Sequence, residues 1–342
     1  METAGRRPSA NPGGLSDPPP PGRLIPEHVL PVPKTVSPEM QGVIAAPYGD
    51  WVFAKPRSVA EWCQLIDGYD SDAAKQFHSL RDVLGVSAEE ISVNGVRCHR
   101  VVPHEVAPGH DRRLLVHTHG GAYVFGKGEA GLSEAALVAH FSKSPVLSVD
   151  YRMPPDYPFP AGIEDVVGVW QAMLATHDRR HAAMFGSSAG GGLTMAVILR
   201  LKELGVALPA ALFLGSPWAN IAKIADSQFA NDRTDNLMVT YDGVLAESAK
   251  LYAGYHSLDE PLLSPLGGDL SGFPPSIILT GTRDLFLSLA ALTHRKLRAS
   301  GVEAELHVFE AVSHIQFLAF PAPECATAMT EVARFFDRHL AQ

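Results

Sequence analysis

Hydrophobic positions follow two alternating patterns from about residue 113 onward. Short runs of Val, Leu, Ile and Phe have the length of buried strands, and the stretches between them carry apolar residues at helical spacing. Strands separated by helices favour a mostly parallel sheet that is covered by helices on both faces. The predicted strands are 113–118, 145–150, 182–185, 210–215, 275–281 and 304–309, and the predicted helices are 132–141, 163–176, 189–204, 241–252, 285–299 and 324–340.

The pattern before residue 113 is different. Residues 1–36 are rich in Pro and Gly, which predicts an irregular lead-in. Residues 37–84 have helical periodicity. Residues 91–98 surround the turn Asn94-Gly95, which is typical of a hairpin. We therefore expect antiparallel strands at one edge of the sheet and eight strands in all.

One interval interrupts the alternation of strands and helices. Residues 218–266 contain a polar stretch and a helix but no predicted strand. The interval is long enough to cover the carboxyl edge of the sheet, where ligands bind in open α/β folds. We predict that it forms a helical cap together with the helical region near the N-terminus. The predicted divisions are a lead-in at 1–36, a cap at 37–90 and 219–255, and a catalytic domain at 91–218 and 256–342.

Composition and charge restrict the partners. A net charge of −9 argues against nucleic acid or an anionic membrane surface. No apolar run approaches the roughly 18 residues of a membrane helix, so no membrane insertion is expected. Cys63, Cys98 and Cys325 are scattered without metal-type spacing, which indicates a reducing compartment without disulfides. We therefore predict a cytoplasmic protein without a metal or other cofactor.

Two glycine-rich turns carry the candidate chemistry, and each follows a short apolar run. Residues 186–192 read Gly-Ser-Ser-Ala-Gly-Gly-Gly and place Ser188 in a Gly-x-Ser-x-Gly pattern between a strand and a helix. In that context the pattern is typical of a nucleophilic serine on a sharp turn. Gly186 and Gly190 remove side chains where strand, turn and helix come closest. A lone match could be an ordinary glycine turn, so the second motif decides.

That second motif is the segment 117–123, His-Thr-His-Gly-Gly-Ala-Tyr. It fits a loop that offers backbone N–H groups to a developing oxyanion. Gly120 and Gly121 would supply donors from this loop, and Ala189 a donor from the nucleophile turn. Together the two motifs predict acyl transfer through a serine ester.

A serine nucleophile needs a general base and an acid that orients it. Asp284 and His314 each follow a predicted strand, in the order that this kind of fold requires. Asp284 could also cap the following helix. The alternative base is His307, within a strand, and the alternative acids are Glu310 and Asp269.

His119 precedes the two glycines and is predicted to support the oxyanion loop through a hydrogen bond. His117 and His119 alternate on a strand and could bind a metal, but no third ligand lies nearby in the sequence. We therefore predict no metal site here.

Further motifs match one family. They are Asp150-Tyr151-Arg152-Met153-Pro154-Pro155, Phe159-Pro160-Ala161, Ser216-Pro217-Trp218 and Ser264-Pro265-Leu266. From about residue 114 to 340 the chain resembles the hormone-sensitive-lipase family of α/β-hydrolases, in particular its bacterial esterases. The resemblance implies an α/β-hydrolase fold with Ser188, Asp284 and His314 as nucleophile, acid and base. It also implies Gly120, Gly121 and Ala189 as oxyanion donors, no metal and a homodimer.

Four residues depart from the family pattern. Ala122 stands where a third glycine is usual, and Ser187 where an acidic residue commonly precedes the nucleophile. Ser288 replaces the second acid of an Asp-Pro-Leu-x-Asp segment, and Asn220 replaces an Asp. None of these changes removes a member of the predicted triad.

The leading functional hypothesis is a carboxylesterase for short- to medium-chain acyl esters. A lactone hydrolase would use the same residues. A non-catalytic receptor, like the plant gibberellin receptors that resemble this family, would lack the histidine that His314 supplies. The polar residues of 225–240 argue against a lipase with an apolar lid. The predicted pocket-lining residues are Tyr123, Trp218, Phe286 and Ile315, because each flanks a candidate catalytic element.

Overall fold

The computed structural model describes residues 22–341. Within that range eight strands form one sheet with the order β1-β2-β4-β3-β5-β6-β7-β8. β1 pairs antiparallel with β2, and β2 with β4, while every other neighbouring pair is parallel. The strands are β1 (Val86–Val93), β2 (Val96–Pro103), β3 (Leu114–Thr118), β4 (Val146–Val149), β5 (Ala182–Ser187), β6 (Ala211–Gly215), β7 (Ser276–Gly281) and β8 (Ala304–Phe309).

The helices of the described range cover both faces of the sheet. They are α1 (Pro38–Ile44), α2 (Val59–Leu84), α3 (Ser133–Ser142), α4 (Ala161–Met173), α5 (Ala189–Glu203), α6 (Ser227–Ala230), α7 (Val244–Ala253), α8 (Leu287–Ala299) and α9 (Pro323–His339). The predicted architecture, a mostly parallel eight-stranded sheet with helices on both faces, is the one observed. From residue 113 onward each predicted strand and helix begins and ends within three residues of an observed one.

Three details differ from the sequence prediction. The hairpin at Asn94-Gly95 is longer than 91–98, because β1 and β2 pair along their whole length from Val86↔Pro103 to Val93↔Val96. The predicted cap boundary at residue 90 therefore falls inside β1. Gly85, at φ 62°, ends α2 in the left-handed conformation that glycine tolerates, and the chain enters β1 directly. The interval 218–266 contains a second, short helix, α6, besides α7.

Alternating strand residues supply two core layers, one on each face of the sheet. One layer includes Val116, Met184 and Leu214 and packs with α4, α5 and α8. The other includes Leu115 and Phe185 and packs with α3 and α9. Side chains on both faces are buried, as expected for a parallel sheet between helices. The loops after β3, β5, β7 and β8 therefore start from a rigid base at one edge of the sheet.

The N-terminal part of the described range forms its own unit, up to Pro31, and the rest of the chain from Val32 forms the second unit. Residues 22–30 contain no helix or strand and are exposed. Residues 1–21 of the predicted lead-in lie outside the described range. Within the second unit, Asn236 donates to the carbonyl of Val43 (2.9 Å), so the two predicted cap segments touch. Their assignment as one cap stays a prediction. No helix in the described range combines the length and apolar character needed to cross a membrane.

Candidate active site

Ser188 lies on a sharp turn between β5 and α5. Its backbone has φ 58° and ψ −125°, a conformation that costs energy for a residue with a side chain. A β-carbon at Gly186 or at Gly190 would overlap the carbonyl oxygen of Thr118 on the neighbouring strand. Only glycine allows β3, the turn and α5 to approach so closely. The turn therefore raises Ser188 at the N-terminus of α5, where the helix favours negative charge.

The three predicted triad residues meet in the structure. His314 Nε2 lies 2.8 Å from Ser188 Oγ, and His314 Nδ1 lies 3.0 Å from Asp284 Oδ1. The side chains are buried, with exposed fractions of 4%, 0% and 1% for Ser188, Asp284 and His314. In this arrangement Nδ1–H donates to the carboxylate and Nε2 accepts the serine proton. The alignment is that of a hydroxyl nucleophile next to an oriented general base.

The Asp284 carboxylate is held by further donors. Thr280 donates its hydroxyl to Oδ2 (2.6 Å), and the Phe286 N–H donates to Oδ1 (2.8 Å). Burial acts to raise the pKa of Asp284, but the neighbouring His314 and the Thr280 hydrogen bond help to outweigh it, and the pKa is lowered. Asp284 is not the N-cap of α8, a position that Phe286 occupies.

The rival acids and base lie elsewhere. His307 is half-buried on β8 and contacts Glu305 (3.3 Å). Asp269 is exposed and pairs with Lys202 (3.3 Å). Glu310 is exposed. None of the three contacts Ser188, so the geometry favours Asp284 and His314.

The predicted oxyanion donors are adjacent to the serine. A β-carbon on Gly120 would lie 3.5 Å from that of Ser188. The N–H groups of Gly120, Gly121 and Ala189 have no acceptor among the residues that the structure describes. The loop that contains Gly120 and Gly121 continues through two residues with positive φ angles, Ala122 (52°) and Tyr123 (65°). The departure at Ala122 therefore places a side chain in a left-handed conformation, where the family glycine is free of strain.

His119, the predicted support of this loop, is buried and contacts the loop directly. Its ring stacks on Tyr151, with centroids 4.2 Å apart, and its Nδ1 lies 2.8 Å from the Gly120 carbonyl oxygen. The Tyr151 hydroxyl donates to the His119 carbonyl (2.8 Å). Burial lowers the pKa of His119 to about 4, although the Gly120 carbonyl acts in the opposite direction. The ring is therefore neutral at pH 7, with its proton on Nδ1. That contact is the one that the predicted supporting role requires.

Ser187, the second departure, faces a carboxylate that comes from another element. The Ser187 hydroxyl donates to Glu134 Oε1 (2.6 Å) and the Ser187 N–H to Oε2 (3.1 Å). His117 Nε2 also lies 3.2 Å from Oε2. Glu134, on α3, thus brings an acidic group beneath the nucleophile turn. Sequence reasoning missed Glu134, which is one of several polar residues at a helix start. In the described range no cluster of three or more His, Cys, Asp or Glu side chains could hold a metal.

Asp235 is the second residue that sequence reasoning missed. It lies between α6 and α7 and is fully buried, and it accepts hydrogen bonds from the N–H groups of Leu285 (3.0 Å) and His314 (2.9 Å). Asn231, in the same segment, donates to the Asp284 carbonyl (2.8 Å). The polarity of 225–240 therefore serves contacts with the loops of the triad. The polar composition of this segment is therefore no evidence about the wall of the substrate pocket, and it does not support the predicted preference for short acyl chains.

Three of the four predicted pocket residues form one aromatic group. The Phe286 ring meets the His314 ring edge-on at 4.8 Å, Trp218 stacks on Phe286 at 5.6 Å, and Tyr123 follows at 5.7 Å. All three are buried and belong to the same core layer. Ile315 is half-buried and packs with the opposite layer. The structure therefore does not bring Ile315 together with the other three.

A cleft of about 800 Å³ lies against the N-terminal helices. Trp51, Tyr69 and Leu237 are among its lining residues, and no triad residue is. Trp51 and Tyr69 pack on Phe125, with ring centroids at 5.9 and 4.7 Å, so the cleft adjoins the end of the oxyanion loop. It is next to the candidate site without being the site.

The chain is similar to known hydrolases and esterases. The profile of a family described as having the alpha/beta hydrolase fold matches residues 115–318. An acetyl-hydrolase of Streptomyces hygroscopicus is 31% identical over 230 residues, which are 67% of this chain and 76% of that protein. The crystal structure of esterase E25 is 42% identical, covers 94% of this chain and 99% of its own, and has a TM-score of 0.91. An esterase from the bacterial hormone-sensitive lipase family is 30% identical, covering 89% and 99%, with a TM-score of 0.78.

Proposed function

The chain belongs to the α/β-hydrolase family, within its hormone-sensitive-lipase group of esterases, and from this premise we propose a serine carboxylesterase for short- to medium-chain acyl esters. That the protein is a carboxylic ester hydrolase follows from its relatives. The mechanism and the substrate range are our proposal. The single observation that carries the mechanism is the hydrogen-bonded chain from Ser188 Oγ through His314 to Asp284.

In the proposed reaction Ser188 Oγ attacks the ester carbonyl carbon while its proton passes to His314 Nε2. The carbonyl oxygen becomes an oxyanion and accepts hydrogen bonds from the N–H groups of Gly120, Gly121 and Ala189. The intermediate collapses as the bond between the carbonyl carbon and the alkoxide oxygen breaks, and the proton on Nε2 passes to the departing alkoxide. The alcohol is released, and the acyl group remains on Ser188 as an ester. Water then attacks the acyl carbon with His314 as base, and the carboxylic acid is released with Ser188 regenerated.

Asp284 matters in this mechanism because it remains ionised. Its lowered pKa keeps the carboxylate charged at neutral pH, so it stabilises the imidazolium that forms at each transfer. His119 acts on the oxyanion loop without touching the substrate. Its neutral ring donates a hydrogen bond to the Gly120 carbonyl. This bond keeps the peptide unit between Gly120 and Gly121, and with it the Gly121 N–H, in one orientation.

The buried aromatic group supports the proposed substrate size. Phe286, Trp218 and Tyr123 are buried and pack ring against ring next to His314, so a long acyl chain directed between them would have to displace a ring. A short acyl group needs no such displacement. A homodimer and a cytoplasmic location stay predictions.

A chain-length series tests this proposal. We expect kcat/KM for p-nitrophenyl esters to be highest between about two and eight acyl carbons and to fall steeply above twelve, although each buried CH2 could add about 0.8 kcal/mol of binding. A set of lactones measured alongside separates ester from lactone hydrolysis. A fluorophosphonate adduct should map to Ser188 by mass spectrometry. Rates that climb as far as palmitate, or an adduct on Ser187, would contradict the proposal.

A further inference from the structure

The carboxylate of Asp235 is used entirely by backbone donors. Oδ2 accepts from Leu285 N (3.0 Å) and His314 N (2.9 Å), and Oδ1 accepts from Leu237 N (2.8 Å) and Met238 N (2.9 Å). The side chain has no exposed surface. A buried carboxylate is costly unless its oxygens are fully hydrogen-bonded, and here four N–H groups meet that need.

The position of these donors connects two separate loops. Leu285 follows Asp284 directly in the loop after β7, and His314 donates its own N–H from the loop after β8. Oδ2 thus links the backbones beside the acid and at the base, and it adds to the backbone hydrogen bond from Arg283 N to Val312 O (3.1 Å). The distance between these backbones determines whether His314 Nδ1 reaches Asp284 Oδ1.

Neighbouring residues extend this connection. Asn231 donates to the carbonyls of Asp284 (2.8 Å) and Thr282 (3.2 Å). Asn236 accepts from Gln316 (2.7 Å) in the loop of the base. We call residues 231–236 the clamp segment, because its side chains form hydrogen bonds with both loops.

We propose that the clamp segment, with Asp235 at its centre, positions the acid and the base of the triad and places a second anion next to His314. Asp235 touches neither the substrate nor a reacting atom, so it is a positioning residue. The inference rests on the proposed triad. Two carboxylates then contact His314, Asp284 at the ring Nδ1 and Asp235 at the backbone N–H, while Ser188 contacts Nε2.

The test is Asp235→Asn. An amide must turn its NH2 toward one of the two pairs of N–H donors, so two hydrogen bonds are lost in either rotamer. We expect kcat to fall about 10- to 100-fold, because a small displacement of an aligned base is costly, with KM changed by less than about threefold. The acid limb of the kcat/KM profile should move to lower pH, because the imidazolium loses a neighbouring anion.

The matched control is Asp226→Asn, which neutralises an exposed carboxylate close to the clamp segment. It should leave kcat and the pH profile unchanged. If Asp235→Asn is not recovered folded, Asn231→Ala replaces it, since Asn231 is only half-buried. We expect that variant to lower kcat about 3- to 10-fold at unchanged KM.

The outcomes separate the inference from the proposed function. If the wild-type protein hydrolyses no ester and Ser188 is not labelled by fluorophosphonate, the proposed function fails. If the wild-type protein is active but folded Asp235→Asn keeps the wild-type kcat and pH profile, the inference is wrong. It is also wrong if Asp235→Asn does not fold and Asn231→Ala leaves kcat unchanged.

Discussion

The two halves of the candidate site are held in different ways. On the nucleophile side, Ser188 is fixed mainly by close backbone contacts, since Gly186 and Gly190 lie directly against Thr118. On the acid–base side, the loops after β7 and β8 are joined by the buried carboxylate of Asp235 and by the backbone hydrogen bond from Arg283 N to Val312 O (3.1 Å). Asp235 is 50 residues from Leu285 and 79 from His314 along the chain.

Each half also has a buried carboxylate, and their contacts differ. Glu134 binds Ser187, the residue before the nucleophile, whereas Asp235 binds the backbone of His314 itself. The nucleophile turn keeps its steric restraints if Glu134 is lost. The acid–base loops also have one close glycine contact, Gly281 against the Val312 carbonyl, but it lies before Asp284 and His314, and the N–H of His314 itself donates to Asp235. We therefore expect the two carboxylates to differ in their effect on catalysis, and the following predictions examine that difference.

The largest effect should come from Ser188→Ala, which removes the proposed nucleophile and should lower kcat by about 10⁴- to 10⁶-fold. The control is Ser187→Ala, one residue away. It loses a hydrogen bond to Glu134 and should cost about 1–3 kcal/mol of stability while retaining most activity. Steady-state kinetics with p-nitrophenyl acetate and urea unfolding measure both quantities. Comparable activity losses in the two variants would mean that the nucleophile is assigned wrongly.

Gly190→Ala examines the steric restraint of the nucleophile side. The added methyl group would overlap Thr118 O, so β3 and α5 must separate. We expect a loss of at least about 3 kcal/mol in the free energy of unfolding, together with about a 100-fold drop in kcat/KM. Gly42→Ala in α1 is the control, because its β-carbon meets open space. It should be neutral or stabilising by up to about 1 kcal/mol. A fully stable Gly190→Ala would show that the turn does not depend on close approach.

Glu134→Gln compares the two carboxylates directly. The amide can donate to the Ser187 hydroxyl and accept from the Ser187 N–H, but the hydroxyl proton then loses its acceptor and the charge-assisted bonds become neutral, so we expect a loss of about 1–3 kcal/mol in stability. The fall in kcat should be less than about threefold, below the loss expected for Asp235→Asn, because Ser188 keeps its backbone restraints. Glu129→Gln, at a partly exposed site, is the control. Equal kcat losses for the Glu134 and Asp235 variants would remove the distinction between the two halves.

The smallest effect at neutral pH concerns His119. Its pKa is about 4 in the folded protein and near 6.5 when unfolded, so only the unfolded state gains a proton between these values. The contribution to stability is complete above about pH 6.5 and is lost as the pH falls toward 4. Between pH 7.5 and 5 the wild-type protein should lose about 2 kcal/mol more than His119→Gln in urea unfolding. The same pH dependence in both proteins would mean that His119 is not held neutral.

The sequence by itself determined the order of strands and helices, the two glycine turns, and the three residues that meet as Ser188, His314 and Asp284. These features are encoded by short stretches of sequence. Apolar periodicity indicates which residues are buried, and a glycine turn after a strand indicates that backbone segments approach each other closely. Only the tertiary structure decided the functions of the polar residues. In the sequence Asp235 is one acidic residue in a polar stretch, the same pattern that a solvated loop would have.

The role of the Asp235 carboxylate depends on its burial and on hydrogen-bond donors that are distant in the sequence. Local periodicity reveals neither of these. The same holds for Glu134, and for Ile315, which flanks His314 in sequence but packs in the opposite core layer. A residue's neighbours along the chain determine its backbone. Its hydrogen-bond partners across the sheet edge depend on how the loops after β7 and β8 pack against the segment between α6 and α7.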